Sequence, residues 1–308
     1  MSSQDIDVSF VMTVYNKEYY LPSVLKALLN QSGVKNPEYI FVDDVSSDRS
    51  IEIIREATKG LPNVQIVVNE KNQGISRNTN KAIALAHGEY TRLLDSDDIF
   101  PLDSTEILLD LAKSNHADMV YGCFTKTGEE PEELTNRKTG DFTYKYYPDA
   151  LDGVLHNRFI RMGQLIKTSV LQTSGGADER VFIQDESLPL RVAMKAQGAI
   201  KMSANVVLVP KEKGNFSGNK LQLDNDRFMA YYFALADNKD TLPKDKKALM
   251  YKRAVSAYWK MVKKTHKFPY LHWGFGKYLY VRLFKPQPHM YTLQKMYGRF
   301  MGLENIRR

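Results

Sequence analysis

The chain has 308 residues, 43% apolar and 26% charged, which suits a packed core and excludes disorder over most of its length. A single cysteine, Cys123, excludes an intrachain disulfide and makes a reducing compartment the natural setting. The net charge of +7 hides two opposed halves: Thr241 to Arg308 carries 16 Lys or Arg against two acids (+14), leaving 27 bases against 34 acids (−7) elsewhere.

Met1 to Asp5 lack the basic-then-apolar order of a secretory leader. No run of about 18 apolar residues follows that could span a bilayer. A cytoplasmic location is expected, and the charge asymmetry raises the inner face of a membrane as a further place for the basic end.

Val8 to Val14 is a short apolar run suited to a strand buried on both faces. A helix is expected from about Tyr20 to Gln31, with Leu21, Val24, Leu25, Leu28 and Leu29 on one stripe. Tyr39 to Val42 reads as the second strand, ending in Asp43-Asp44. Ser46-Ser47-Asp48 then offers capping side chains for a helix through about Ala57. Val64 to Val68 is the third strand, Ile75 to Ala86 the third helix, and Glu89 to Leu94 the fourth strand, running into Asp95. Alternating strands and helices of this length imply βαβ units and a mostly parallel sheet. Ligands of such sheets bind beyond the strands' carboxyl ends, where Thr13-Tyr15-Asn16, Asp43-Asp44 and Asp95 to Asp98 all fall.

From Thr125 to Asp149 the chain turns polar, with Gly128 to Glu133 reading as a solvated, acidic loop. A helix is expected from Glu186 to Gln197 and a strand from Val206 to Val209, with helical, basic and aromatic sequence beyond Gly218.

Four groups could carry chemistry. In Asp95-Ser96-Asp97-Asp98, three carboxylates within four residues repel one another unless a cation or solvent compensates, and such oxygens suit Mg²⁺ or Mn²⁺. An isolated acidic turn is more often a solvated surface feature; its place after an apolar strand turns the balance. Asp43-Asp44 can accept from a ribose hydroxyl or a base N–H, although a capping turn is the commoner use. Asn72 to Asn78 opens a helix whose free N–H groups favour anions, with Arg77 adding a positive charge. Asp185, at the start of another helix, is a candidate general base and equally a dipole-favoured cap.

Taken together these segments resemble the family 2 glycosyltransferases, over about residues 6 to 218. Val8 to Glu18 resembles the family's first strand and loop. Phe41 to Asp48 is similar to its nucleotide-binding turn, with Val45 where glycine is usual. Asn72 to Asn80 and Gly88 to Asp98 resemble the phosphate-side helix and the acidic metal motif. Gly175 to Arg191 resembles the segment bearing the catalytic acid pair, with Gln184 replacing the first acid. The resemblance implies an α/β fold of the GT-A type: a mostly parallel sheet flanked by helices, a Rossmann-like nucleotide-binding half and a helical, basic C-terminal extension from 219. It implies an inverting transfer from a nucleotide-diphosphate sugar, with a UDP-sugar the expected donor. Thr13, Tyr15 and Asp44 would hold the base and ribose, Arg77 the diphosphate and Asp95 the ribose side. Asp97 and Asp98 would hold Mn²⁺ or Mg²⁺, and Asp185 would deprotonate the acceptor hydroxyl of a glycan or lipid-linked acceptor. Lys211 or Lys213 occupies the place of a later phosphate-directed cation. A sugar nucleotidyltransferase, or a non-catalytic nucleotide- or RNA-binding protein, are the alternative readings.

The region from Thr241 to Arg308 also holds 13 of the chain's 34 aromatic residues. Interleaved cations and aromatics suit an anionic membrane surface; RNA binding and plain helical packing with a basic outer face are the competing readings. Nucleic acid is the less favoured partner.

Overall fold

A computed structural model describes residues 6–157, 163–211, 219–304 and 306–307. The chain divides into two compact units, one formed by 1–177 with 192–214, the other by 178–191 with 215–308.

The first unit opens with β1 (Val8–Val14), α1 (Leu21–Leu29), β2 (Pro37–Asp43), α2 (Ser50–Ala57), β3 (Val64–Val68), α3 (Ile75–Ala84) and β4 (Tyr90–Asp95). β1 is apolar except at Ser9 and Thr13 and is buried on both faces, as a central strand must be. Pro22, with its fixed φ and missing N–H, fits the first turn of α1, and Leu21, Val24, Leu25 and Leu28 turn inward at helical spacing. Each of these side chains is at most 1% exposed, a burial that contributes roughly 1.5–3 kcal/mol apiece. These elements follow the expected order closely.

α4 (Ser104–Ser114), β5 (Met119–Lys126), α5 (Pro131–Leu134), β6 (Tyr144–Tyr147), α6 (Ala150–His156), β7 (Leu165–Lys167) and α7 (Thr168–Thr173) come next. The polar stretch from Thr125 to Asp149 is thus not a plain connection: it holds the short α5, closed by a reciprocal Glu130–Glu133 capping box, and the edge strand β6. The next helix, α8 (Gln184–Ala193), ends four residues before Gln197. β8 (Ala199–Val209) is longer than Val206 to Val209 because its first half pairs with β6 on one side and β5 on the other.

The eight strands lie in the order β3-β2-β1-β4-β7-β5-β8-β6. β1 to β4 are mutually parallel and β5 is parallel to β8; β7 runs antiparallel to β4 and β5, as β6 does to β8. The sheet is therefore mostly parallel, with helices packed on it.

The second unit consists of the segment 178–191, which carries most of α8, with α9 (Lys220–Asp237), α10 (Lys244–Thr265), α11 (Trp273–Phe284) and α12 (Met290–Met301). Its interior is aromatic: Phe228 meets Phe300 at 4.8 Å between ring centroids, and Tyr258 meets Trp273 at 5.4 Å. Tyr251, Tyr258 and Phe300 are fully buried. Part of the basic region's aromatic content is thus the core of a helical unit. Among the described residues, no helix is long and apolar enough to cross a membrane.

Candidate functional site

The chain order places a reversal at the centre of the parallel strands. From β1 the connection steps to β2 and β3 on one side, and then returns to β4 on the other side of β1. The gap between β1 and β4 is the topological switch point, where open α/β sheets bind ligands. Thr13 on β1 is paired in register with Asp95 on β4, and Val14 with Asp43 on β2. Adjacent strands lie about 4.8 Å apart, so the polar residues expected from three separate motifs end along one rim of the sheet.

Two loops on that rim are stitched together. Ser46 Oγ accepts from the Asn16 N–H at 3.0 Å, Asn16 Oδ1 accepts from the Ser47 N–H at 2.8 Å, and Ser50 Oγ accepts from the Lys17 N–H at 2.8 Å. Asp48 takes the Glu18 N–H at 3.0 Å and Glu18 takes the Arg49 N–H at 3.1 Å. Backbone donors that a loop would otherwise leave open are thereby satisfied across the β1–β2 boundary. Val45 sits in this network with φ of +66°. A β-branched residue there is strained, because its side chain crowds its own backbone. Tyr15, beside the stitched segment, is 46% exposed and free to present its ring.

Asp44 is 5% exposed and accepts from the N–H groups of Gln73 (2.8 Å) and Gly74 (3.0 Å) and from Asn69 Nδ2 (3.0 Å). Burial alone would raise its carboxyl, but these donors, with the Asn78 side chain, outweigh it and hold the group below the ordinary carboxylate range. Its charge therefore stabilises the fold above the ordinary value of 3.8, and that contribution is lost as the pH falls. Asp44 thus fixes the approach to α3, whose first turn presents Arg77 in an exposed position. Gly74 precedes that turn with φ of +83°, a conformation glycine adopts without strain.

The acidic motif leaves β4 with Asp95 half-buried, Asp97 40% exposed along its side chain and Asp98 only 1% exposed. The far end of its loop is anchored: Ile99 and Leu208 exchange N–H···O bonds of 2.9 and 2.8 Å. Beneath it, the buried Arg92 guanidinium donates to Gln31 Oε1 (2.9 Å), Ser104 Oγ (2.9 Å) and Thr105 Oγ1. Burial pushes Arg92 down to about 9, so it stays charged near neutrality. Asp97 meets the ammonium of Lys17. Among the described residues no three His, Cys, Asp or Glu side chains converge on one point. The donor set is therefore unsuited to an all-protein metal cage. It does fit a hard cation that takes one or two carboxylates and completes its shell with water and phosphate oxygens.

In the second unit, Asp185 lies in the first turn of α8, and α9 holds that segment through charged residues. Asp226 Oδ2 accepts from the Ile183 N–H at 2.9 Å, Arg227 pairs with Glu186 at 3.0 Å, and Arg180 meets Asp178 and Asp237. Burial raises the carboxyls of Glu186 and Asp226, against the lowering pull of Arg227 on the first and of donors from Gln222, Asn225 and Ile183 on the second. Lys211, in the first unit, pairs with Glu130 at 3.0 Å; Lys213 lies outside the described residues.

The family model for glycosyl transferase family 2 matches residues 9–175. The chain belongs to that family. An uncharacterized glycosyltransferase of Haemophilus influenzae is 38% identical over 138 residues, 44% of this chain and 55% of that protein. The minor teichoic acid biosynthesis protein GgaB of Bacillus subtilis is 31% identical over 140 residues, 44% of this chain and 16% of that much longer protein. The chain's match thus spans about half the first relative and a small part of the second. Residues 1–349 of Staphylococcus aureus TarS, solved with UDP-GlcNAc, superpose with a TM-score of 0.65 at 16% identity, covering 96% of this chain and 92% of that one. That likeness establishes a shared GT-A-like fold.

For a family 2 glycosyltransferase, the positive φ at Val45 gives a physical reason for the glycine usual there. Lys17 was not singled out by the sequence reading, since 80 residues separate it from its partner Asp97. Asn69, which donates to Asp44 at 3.0 Å and to Asn78 Oδ1 at 2.7 Å, was missed because it lies outside the expected segment Asn72 to Asn78 and 25 residues from Asp44.

Proposed function

We propose that this family 2 enzyme moves a sugar, with inversion at the anomeric carbon, from a nucleotide-diphosphate donor to a hydroxyl of a glycan or lipid-linked acceptor in bacterial surface polysaccharide assembly. The reading rests above all on one observation: Asp95 and its acidic neighbours follow β4 at the switch point, in register with Thr13 of β1. A UDP-sugar is the first donor to test, given the UDP-GlcNAc complex of TarS and the teichoic acid role in the name of GgaB.

In this reading the catalytic domain is 1–218 and the C-terminal region begins at 219. Tyr15 and Thr13 receive the base and ribose, and Asp44 shapes the same pocket through the loop it holds. Asp95 contacts the ribose side. Asp97 and Asp98 hold Mn²⁺ or Mg²⁺, which when bound stabilises the negative charge of the departing diphosphate. Arg77, in the first turn of α3, contributes a second positive charge together with the positive end of that helix's dipole. Lys17 turns its ammonium from Asp97 to phosphate when donor binds. Asp185 takes the proton of the acceptor hydroxyl as its oxygen attacks the anomeric carbon. No protein nucleophile is required, because a single displacement inverts the centre. The basic region 241–308 faces an anionic membrane surface.

A panel of nucleotide sugars, assayed for nucleotide release with Mn²⁺ or Mg²⁺ and with chelator, tests this directly. At least one donor should be turned over with metal, with the rate falling at least tenfold on chelation. No turnover of any donor, or turnover indifferent to chelator, would reject the metal-dependent reading.

A further inference from the structure

α11 packs inward through Phe275 and Tyr278, whose rings lie 5.0 and 5.8 Å from Trp259 of α10, and through Val281, which is fully buried. A helix on the surface of a soluble unit normally turns charged or polar side chains outward. α11 instead exposes Leu279 (41%), Tyr280 (43%), Leu283 (73%) and Phe284 (69%). Their spacing of one and four residues places them on one face. The turn before the helix adds Phe268, Tyr270 and Leu271, the last 86% exposed.

Cations border this apolar set. Lys277 Nζ lies 4.9 Å from the Tyr280 ring centroid, and the Arg282 guanidinium lies 5.3 Å from that of Tyr278. Lys and Arg can lay their apolar stems along such a surface while keeping their charges in a polar layer. From Thr241 to Arg308 only Asp245 and Glu304 oppose 16 basic residues. That charge decides the occupant. A second copy meeting this face through its own basic region would bring another +14 against the first and be repelled, and its body offers charge but no apolar layer, whereas an anionic bilayer offers opposite charge at its headgroups and an apolar layer beneath them.

We propose that the Leu279–Tyr280–Leu283–Phe284 face of α11 docks on an anionic lipid bilayer. The Leu and Phe side chains enter the acyl boundary, Tyr280 sits at headgroup level, and Lys277, Arg282 and Lys285 pair with lipid phosphates. The proposal rests on the membrane-facing reading of 241–308 and names the surface that makes the contact.

Co-sedimentation of the full chain with vesicles of phosphatidylglycerol and phosphatidylcholine, and with phosphatidylcholine alone, tests it. The comparison is the double variant Leu283→Ser, Phe284→Ser, two exposed positions outside the catalytic machinery. The native chain should bind the anionic vesicles and leave the zwitterionic ones, and the variant's partition coefficient should fall at least tenfold. Nucleotide release from a donor sugar in lipid-free solution should be equal for the two, a readout that reports on the catalytic reading separately. Equal binding of native and variant chains to anionic vesicles would overturn the docking face while leaving electrostatic attraction in place. Failure of the native chain to bind anionic vesicles, including the case in which it binds a short RNA instead, would overturn both.

Discussion

Val45 combines a β-branched side chain with a φ of +66° in a turn whose neighbours are all hydrogen-bonded into place. The left-handed conformation costs an L-residue about 1–2 kcal/mol, and glycine's greater freedom in the unfolded chain offsets roughly 0.5–1 of any relief. Val45→Gly should therefore raise stability by about 1 kcal/mol, read as a higher denaturant midpoint at unchanged slope. A lower midpoint would show that contacts of the Val45 side chain outweigh the backbone strain. The resemblance to the family marks this position as unusual without a reason, since φ is not written in residue order. The Lys17–Asp97 pair was hidden for a related reason. Asp97 stands out in the acidic motif but Lys17 is ordinary in its own segment, and only the parallel pairing of β1 with β4 brings them together.

At the level of elements, α9 is a brace for the segment that carries Asp185. Asp226 holds the Ile183 N–H, Gln222 and Asn225 in turn donate to Asp226, and Arg227 fixes Glu186 one residue beyond the proposed base. Asp226→Ala frees that backbone N–H and should lower kcat at least tenfold while leaving the donor KM within twofold, because donor-binding residues sit elsewhere in the chain. An unchanged kcat would mean that the helix start holds its geometry without the brace. None of this was legible in the sequence. A carboxylate in a helix 43 residues from its backbone partner carries no local signature. The strands and helices up to β4 were legible because apolar runs buried on both faces and helical stripes of Leu and Ala write themselves into the order of residues. β6 was not, because its Tyr-Lys-Tyr-Tyr run lies on an exposed edge and shows no apolar alternation.

Across the whole chain, the charge division between an acidic body and a basic end follows a division of labour proposed here, with donor chemistry in one part and a membrane surface for the other. The GT-A-like fold was readable from five motifs in order, each ending a strand or opening a helix. What the order of residues could not supply was the registration that puts Thr13 opposite Asp95 and closes those motifs onto one rim. The proposed function depends above all on Asp97 and Asp98, which would hold a divalent cation that stabilises the donor's diphosphate charge. Calorimetric titration of UDP into the native chain and Asp97→Asn, each with Mn²⁺ and with chelator, tests it most directly. Native affinity should fall at least tenfold on chelation, and the variant should bind weakly in both conditions. Native binding of equal strength with and without metal would contradict the account.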